Sequence, residues 1–156
     1  MKLELKNIKY CAFASEETFC FEAVLYADGK PVAHISNDGK GGADYVFPHD
    51  KAAKTIWGNW RDAMAAIDKQ FTGDDTLETW TADQISDYLT RKDLKRLLKN
   101  KIVGYFKDGI YGWKKAGVDA AKLTEMLKQK YAAEGIQILN DMDEDAALAI
   151  YKGASK

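Results

Sequence analysis

Histidine, cysteine and proline are scarce in this chain of 156 residues, which holds two of each. His34 and His49, with Cys11 and Cys20, offer no Cys/His spacing of a zinc site. Two cysteines do not make a disulfide framework. They are expected as buried thiols, although a bridge between adjacent strands is geometrically open. Long apolar runs are missing too. Nothing approaches the roughly 18 apolar residues of a membrane span. The start, Met1-Lys2-Leu3-Glu4-Leu5-Lys6, alternates and lacks the apolar core of a secretory signal. A reducing cytoplasm is therefore the expected compartment, with no membrane association. An excess of one charge is also lacking, since the net charge is −1. No Gly-Lys-Ser/Thr phosphate loop, Gly-x-Gly-x-x-Gly fingerprint or Gly-x-Ser-x-Gly elbow occurs. No cofactor, metal ligand or catalytic residue is predicted.

What is present is core material. Hydrophobic residues make up 46% of the chain, aromatic residues 12% and charged residues 30%. A chain of about 150 residues buries roughly two thirds of its unfolded surface. Residues 2–13 open with strand alternation. Residues 18–27 form a second strand, and Asp28-Gly29 turns the chain into Pro31–Ile35. A tight two-residue turn would pair Leu25 with Val32. A glycine bulge would instead group Phe21, Ala23 and Leu25 with Ala33 and Ile35, and send His34 to the other face. The bulged register gives the cleaner apolar face and is expected. Pro31 lacks a ladder donor, so the third strand is expected at an edge near its start, with room for strand-paired dimers. A glycine-rich loop then leads to a short strand at Tyr45–Phe47, closed by Pro48.

Apolar residues from Ala53 through Trp57 and Trp60 to Phe71 recur at spacings of three and four. They predict a long amphipathic helix over about 50–71, its tryptophans in the core. A capping pattern at Thr81 starts the next helix. The apolar phase slips after Leu89, and Thr90 with Asp93 repeats the capping pattern. Two helices, 82–89 and 91–100, with a kink between them are expected. Ile102–Phe106 and Ile110–Trp113 flank Asp108-Gly109, a hairpin signal that would place Gly104 opposite Trp113. A helix over 120–133, a strand at Ile136–Leu139 and a last helix, capped by Asp141 and ending near Tyr151, complete the chain. Strands and helices are grouped, so the class is α+β. The chain reads as a single compact domain of 1–156, or as lobes 1–73 and 81–152 with a boundary near 72–81.

The run from Phe21 to Lys30, continued by Ser36-Asn37-Asp38-Gly39-Lys40-Gly41-Gly42, resembles small proteins encoded by bacteriophages, prophages and plasmids. Ile138-Leu139-Asn140-Asp141, followed by Glu144 and Ala147-Leu148, is similar to the same group. The resemblance implies a phage or mobile-element accessory protein acting inside a bacterium. It carries over no catalytic residues.

Two surfaces attract attention as binding sites. Asn37, Asp38, Lys40 and Asp44 lie in the glycine-rich loop, where backbone N–H groups would meet a partner or an anion. Charge is also unevenly spread. Residues 1–80 hold 9 basic and 13 acidic side chains, residues 81–118 hold 9 and 4, and residues 119–156 hold 5 and 7. In the basic segment Arg91, Lys92, Lys95, Arg96, Lys99 and Lys101 lie opposite Leu94, Leu97 and Leu98.

The first expectation is a non-enzymatic binder of a host protein, of which a host-defence component is one example, acting as monomer or homodimer. A second reading is nucleic-acid binding by that basic face and the 105–115 hairpin, where Lys107, Lys114 and Lys115 accompany Tyr105, Tyr111 and Trp113. A third is a small hydrolase or nuclease using Asp38, Asp44 and His49, which requires the three groups in one pocket.

Overall fold

The computed structural model describes residues 1–49, 60–115 and 117–154. The fold is α+β, and the chain divides into two compact units, Met1–Ser86 and Asp87–Lys156. The division falls beyond the expected segment 72–81, inside a helix.

The first unit holds an antiparallel sheet of β1 (Leu3–Tyr10), β2 (Cys20–Ala27), β3 (Lys30–Asp38) and β4 (Tyr45–Pro48), in that order. The β2–β3 register is the expected one, with Leu25 opposite Ala33 and Ala23 opposite Ile35. Its origin differs in detail. Asp28 and Gly29 make a tight turn with φ of 47° and 77°, and the extra residue sits further along, at Val32. That bulge is why Val32 and Ala33, consecutive residues, are both buried. Strand β3 is internal where β4 pairs with Ala33–Ser36, while at its start Lys30 and Pro31 have no ladder partner beyond β2 among the described residues, as expected of Pro31.

Residues 50–59 of the helix expected over 50–71, with Trp57, lie outside the described residues. The helix α1 spans Trp60–Asp68. Ala63 and Ile67 are its buried positions.

The expected pair of short helices is one continuous helix, α2 (Leu77–Asn100). It starts earlier than expected because Thr76 and Thr79 form a reciprocal cap. Thr79 N donates to Thr76 Oγ1 at 3.1 Å and Thr76 N donates to Thr79 Oγ1 at 2.8 Å. Thr81 lies inside the helix and donates its hydroxyl to the Leu77 carbonyl. The phase slip is a change of buried face and not a break. Ile85 and Leu94 are both buried. Ile85 belongs to the first unit and Leu94 to the second.

The second unit continues from α2 directly into β5 (Lys101–Phe106), then β6 (Gly109–Lys114), α3 (Ala120–Lys130), β7 (Gln137–Ile138) and α4 (Glu144–Ala154). The sheet order is β6-β5-β7. The hairpin turn is Lys107-Asp108, both at positive φ. Gly104 therefore faces Tyr111, not Trp113. Gly109 is spent on packing: a Cβ there would meet the Tyr111 ring at 3.1 Å. The Phe106 ring lies 4.5 Å from Tyr111 and 4.7 Å from Tyr131. Leu94, Val103, Leu139 and Leu148 form one core cluster, and Ile102, Leu123, Leu127 and Ile138 another. Asp143, rather than Asp141, caps α4 by accepting from Ala146 N at 2.9 Å. Asp141 instead pairs with Lys128.

The α2–β5 junction has no loop, so the last helical carbonyls need outside donors. Asn140 Nδ2 donates to the Leu98 and Lys101 carbonyls at 3.1 and 3.0 Å, while its Oδ1 accepts from Val103 N at 2.7 Å. Asn140→Ala is expected to cost about 3 kcal/mol, one per lost bond. Urea unfolding would read this as a lower midpoint at unchanged slope, and an unchanged midpoint would contradict the bracket.

Candidate functional site

The glycine-rich loop folds back on the turn that follows β1. Asn37 is 6% exposed. Its Oδ1 accepts from Thr18 Oγ1 at 2.7 Å and from Gly39 N at 2.9 Å. Its Nδ2 donates to Asp44 Oδ1 at 3.0 Å and to the Gly42 carbonyl at 3.3 Å. The Gly39 carbonyl accepts from the backbone N–H groups of Glu16, Glu17 and Thr18. Gly39 has φ of 84°, and a Cβ there would lie 2.0 Å from the Ala14 oxygen, so only glycine fits. Asn37 and Gly39 thus hold the 15–18 turn in place.

That turn carries the 3-10 segment Ala12–Ala14. Phe13 projects from it with 91% of its surface exposed. Beyond it, Cys11 and Cys20 meet across the strands, Cys11 N donating to the Cys20 carbonyl at 2.9 Å. Both thiols are free and only half-buried, which corrects the expectation of buried thiols. Partial burial and the neighbouring Cys11 thiol push the Cys20 thiol above its usual range.

These cysteines line a hollow of about 410 Å³ on the outer face of the first sheet, together with Lys9, Glu22, Ser36, Asp38 and Tyr45. The pleat explains the set, because Glu22 pairs with Lys9 and Ser36, Cys20 with Asp38, and Ser36 with Tyr45. Lys9 Nζ lies 3.3 Å from the Glu22 carboxylate. Tyr45 and Phe47 alternate along edge strand β4 and are 53% and 58% exposed. His34 faces Phe47 and stacks on His49, with ring centroids 4.6 Å apart.

The sequence-predicted loop residues divide between two places. Asp38 faces the outer hollow, where its Oδ1 accepts from Lys40 N at 3.2 Å. Lys40 is exposed. Asp44 lines a different hollow of about 210 Å³, with Glu78 and Thr79 at the start of α2. Neither hollow is lined by both aspartates or by His49. Among the described residues no cluster of three or more His, Cys, Asp or Glu side chains is placed to hold a metal.

The basic face of α2 is largely mated to acids. Arg91 reaches Asp145 at 2.8 Å and Glu144 at 3.3 Å, and these carboxylates hold its guanidinium more firmly protonated. Lys95 reaches Glu144 at 3.1 Å, and Arg96 pairs with Asp93. Lys92 and Lys99 have no ion pair among the described residues. Of the hairpin lysines, Lys107 pairs with Glu134, and Lys115 donates to the Leu98 carbonyl. The Phe106, Tyr111, Trp113 and Tyr131 rings stack on one another in a continuous cluster.

The exposed rings escape sequence reasoning. Phe13 sits in an apolar run, Tyr10-Cys11-Ala12-Phe13, that has no alternation to tell inside from outside. Tyr45 and Phe47 are two apart and must share a strand face, yet four residues do not say which face is wet. No family model, curated protein or solved structure matches the chain. No helix among the described residues is long and apolar enough to cross a membrane.

Asp44 generates a test of the loop. Burial raises its carboxyl above the ordinary aspartate value, and the nearby Glu78 adds to this, against the lowering effect of the Asn37 amide. The folded chain therefore binds this proton more readily than the unfolded chain, and stability is lost as pH rises through the raised value. Asp44→Asn keeps an oxygen for the Asn37 amide and removes the charge. It is expected to raise the thermal midpoint at neutral pH and to give no gain in acid, where Asp44 is already protonated. An equal shift at both pH values would contradict this account.

Proposed function

We propose that this is a non-enzymatic binding protein that docks a host protein in the bacterial cytoplasm, as an accessory protein of a phage or mobile element would. One observation carries the reading: Phe13, Tyr45 and Phe47 stand exposed on the first unit, where the outer hollow offers a site for a partner's side chain. A largely solvated phenyl ring is ordinary when alone, but Tyr45 lines the hollow and Phe47 shares its strand face, and aromatic residues at a concavity are common anchors of a protein interface. The Asn37 and Gly39 bonds hold the turn beside Phe13, which lowers the ordering cost on docking. The α2 cations favour this reading over nucleic acid, because Arg91, Lys95 and Arg96 already have acidic partners. Counterion release from phosphates would first have to displace those carboxylates.

The test is capture from bacterial lysate by the tagged full chain, with nuclease and at two salt concentrations. A captured protein is expected to resist both treatments. It should be lost with Phe13→Ser combined with Phe47→Ser and retained with Lys92→Glu. Both rings are exposed, so the double variant is expected to keep its stability within about 1 kcal/mol. Capture that needs nucleic acid, or that ignores the two rings and fails with Lys92→Glu, would replace this reading with the basic face.

A further inference from the structure

A third hollow, of about 450 Å³, opens in the second unit against α2, and its composition differs from that of the other two. Its apolar lining is aliphatic, from Leu94, Leu98, Leu139 and Met142. Its charged lining comprises Arg91, Lys95, Lys99 and Lys115 against one carboxylate, Glu144. Glu144 is shared between Arg91 and Lys95, and Asp145 also serves Arg91. The other two cations are not neutralised in this way. Lys115 Nζ donates to the Leu98 carbonyl at 2.7 Å, a neutral acceptor that leaves its full charge in place. Lys99 is exposed and has no ion pair among the described residues. Two uncompensated ammonium groups thus border an aliphatic surface.

The volume lies within the roughly 300–1,000 Å³ of small-ligand sites. Among the described residues no aromatic ring lines the hollow, so they offer a nucleobase no stacking partner, while leucine and the adaptable methionine side chain suit a flexible chain. We propose that this hollow binds an amphipathic anion: an acyl chain against the half-buried Leu98 and Met142, over the buried Leu94 and Leu139, with a carboxylate or phosphate head between Lys99 and Lys115. The head is drawn by charge that the protein leaves uncancelled. The tail is drawn by apolar burial, at about a fourfold gain per methylene for full burial. The site is independent of the Phe13 face.

Calorimetric titration of the full chain tests this with octanoate, decanoate, octyl phosphate, neutral octyl glucoside and adenosine monophosphate, each below any micelle threshold. Decanoate is expected to bind about tenfold tighter than octanoate. Octanoate or octyl phosphate should bind about tenfold tighter than octyl glucoside, and whichever leads identifies the head group. Lys99→Glu should weaken decanoate about tenfold and Lys99→Gln less, while Lys92→Glu, outside the lining, should leave it unchanged. Equal affinity for the charged and neutral octyl compounds would overturn the proposal. So would indifference to both Lys99 variants, or binding of adenosine monophosphate with decanoate silent. Circular dichroism checks that each variant keeps its fold.

Discussion

Where α2 runs into β5 without a loop, backbone carbonyls lose their helical donors in a place that water does not fully reach. Asn140 answers this with both hydrogens of its amide and uses its oxygen to hold Val103 N. The rest of the second unit follows from that bracket. It fixes the start of the central strand β5, and so the register of β6 and β7 on either side. It also brings Leu139, the preceding residue, into the cluster of Leu94, Val103 and Leu148. Lys115 assists by donating to the same Leu98 carbonyl. A buried carbonyl without a donor costs more than a made bond returns, so the amide is needed rather than optional.

The first unit uses the same device. Asn37 spends its whole amide on Thr18, Gly39, Gly42 and Asp44, and Gly39 returns three backbone bonds to the facing turn. Polar satisfaction inside each unit leaves the outer faces free to be chemically distinct. One bears aromatic rings beside a hollow. The other has cations that are partly cancelled by the first turn of α4. Acidic residues at that turn also suit the positive end of the helix dipole. The local excess of Lys and Arg in the sequence is therefore, in good part, the complement of an acidic helix start.

Local pattern revealed the elements well and their junctions poorly. The β2–β3 register was legible because only one pairing gathered Phe21, Ala23 and Leu25 with Ala33 and Ile35. The 107–108 turn was not, because Asp-Gly is a turn signal only where glycine is needed for its backbone. Here glycine leaves room for the Tyr111 ring, which a Cβ would approach to 3.1 Å, and Lys107 and Asp108 bear the positive φ themselves. The continuity of α2 was hidden for a related reason. A slipped apolar phase has the same appearance whether a helix breaks or changes its buried side, and only tertiary contacts separate the two. At the candidate surface, the loop residues could be named from sequence, but their work could not. Asn37 reads as a loop residue open to a partner and proves to be interior, while Phe13 carries no sign of its side and stands 91% exposed.

The change of buried side along α2 limits how this chain can vary in length. In a surface loop an added residue is absorbed by slack. Between Ser86 and Asp93 there is none, since each residue gained or lost turns everything beyond it by about 100° and advances it by about 1.5 Å. A single insertion after Arg91 would turn Leu94 together with its cluster and carry Asp87 and Arg91 away from Lys152, Glu144 and Asp145. Length is therefore as heritable a property of this segment as any side chain, and related chains that share the fold should tolerate substitutions here far more readily than gaps.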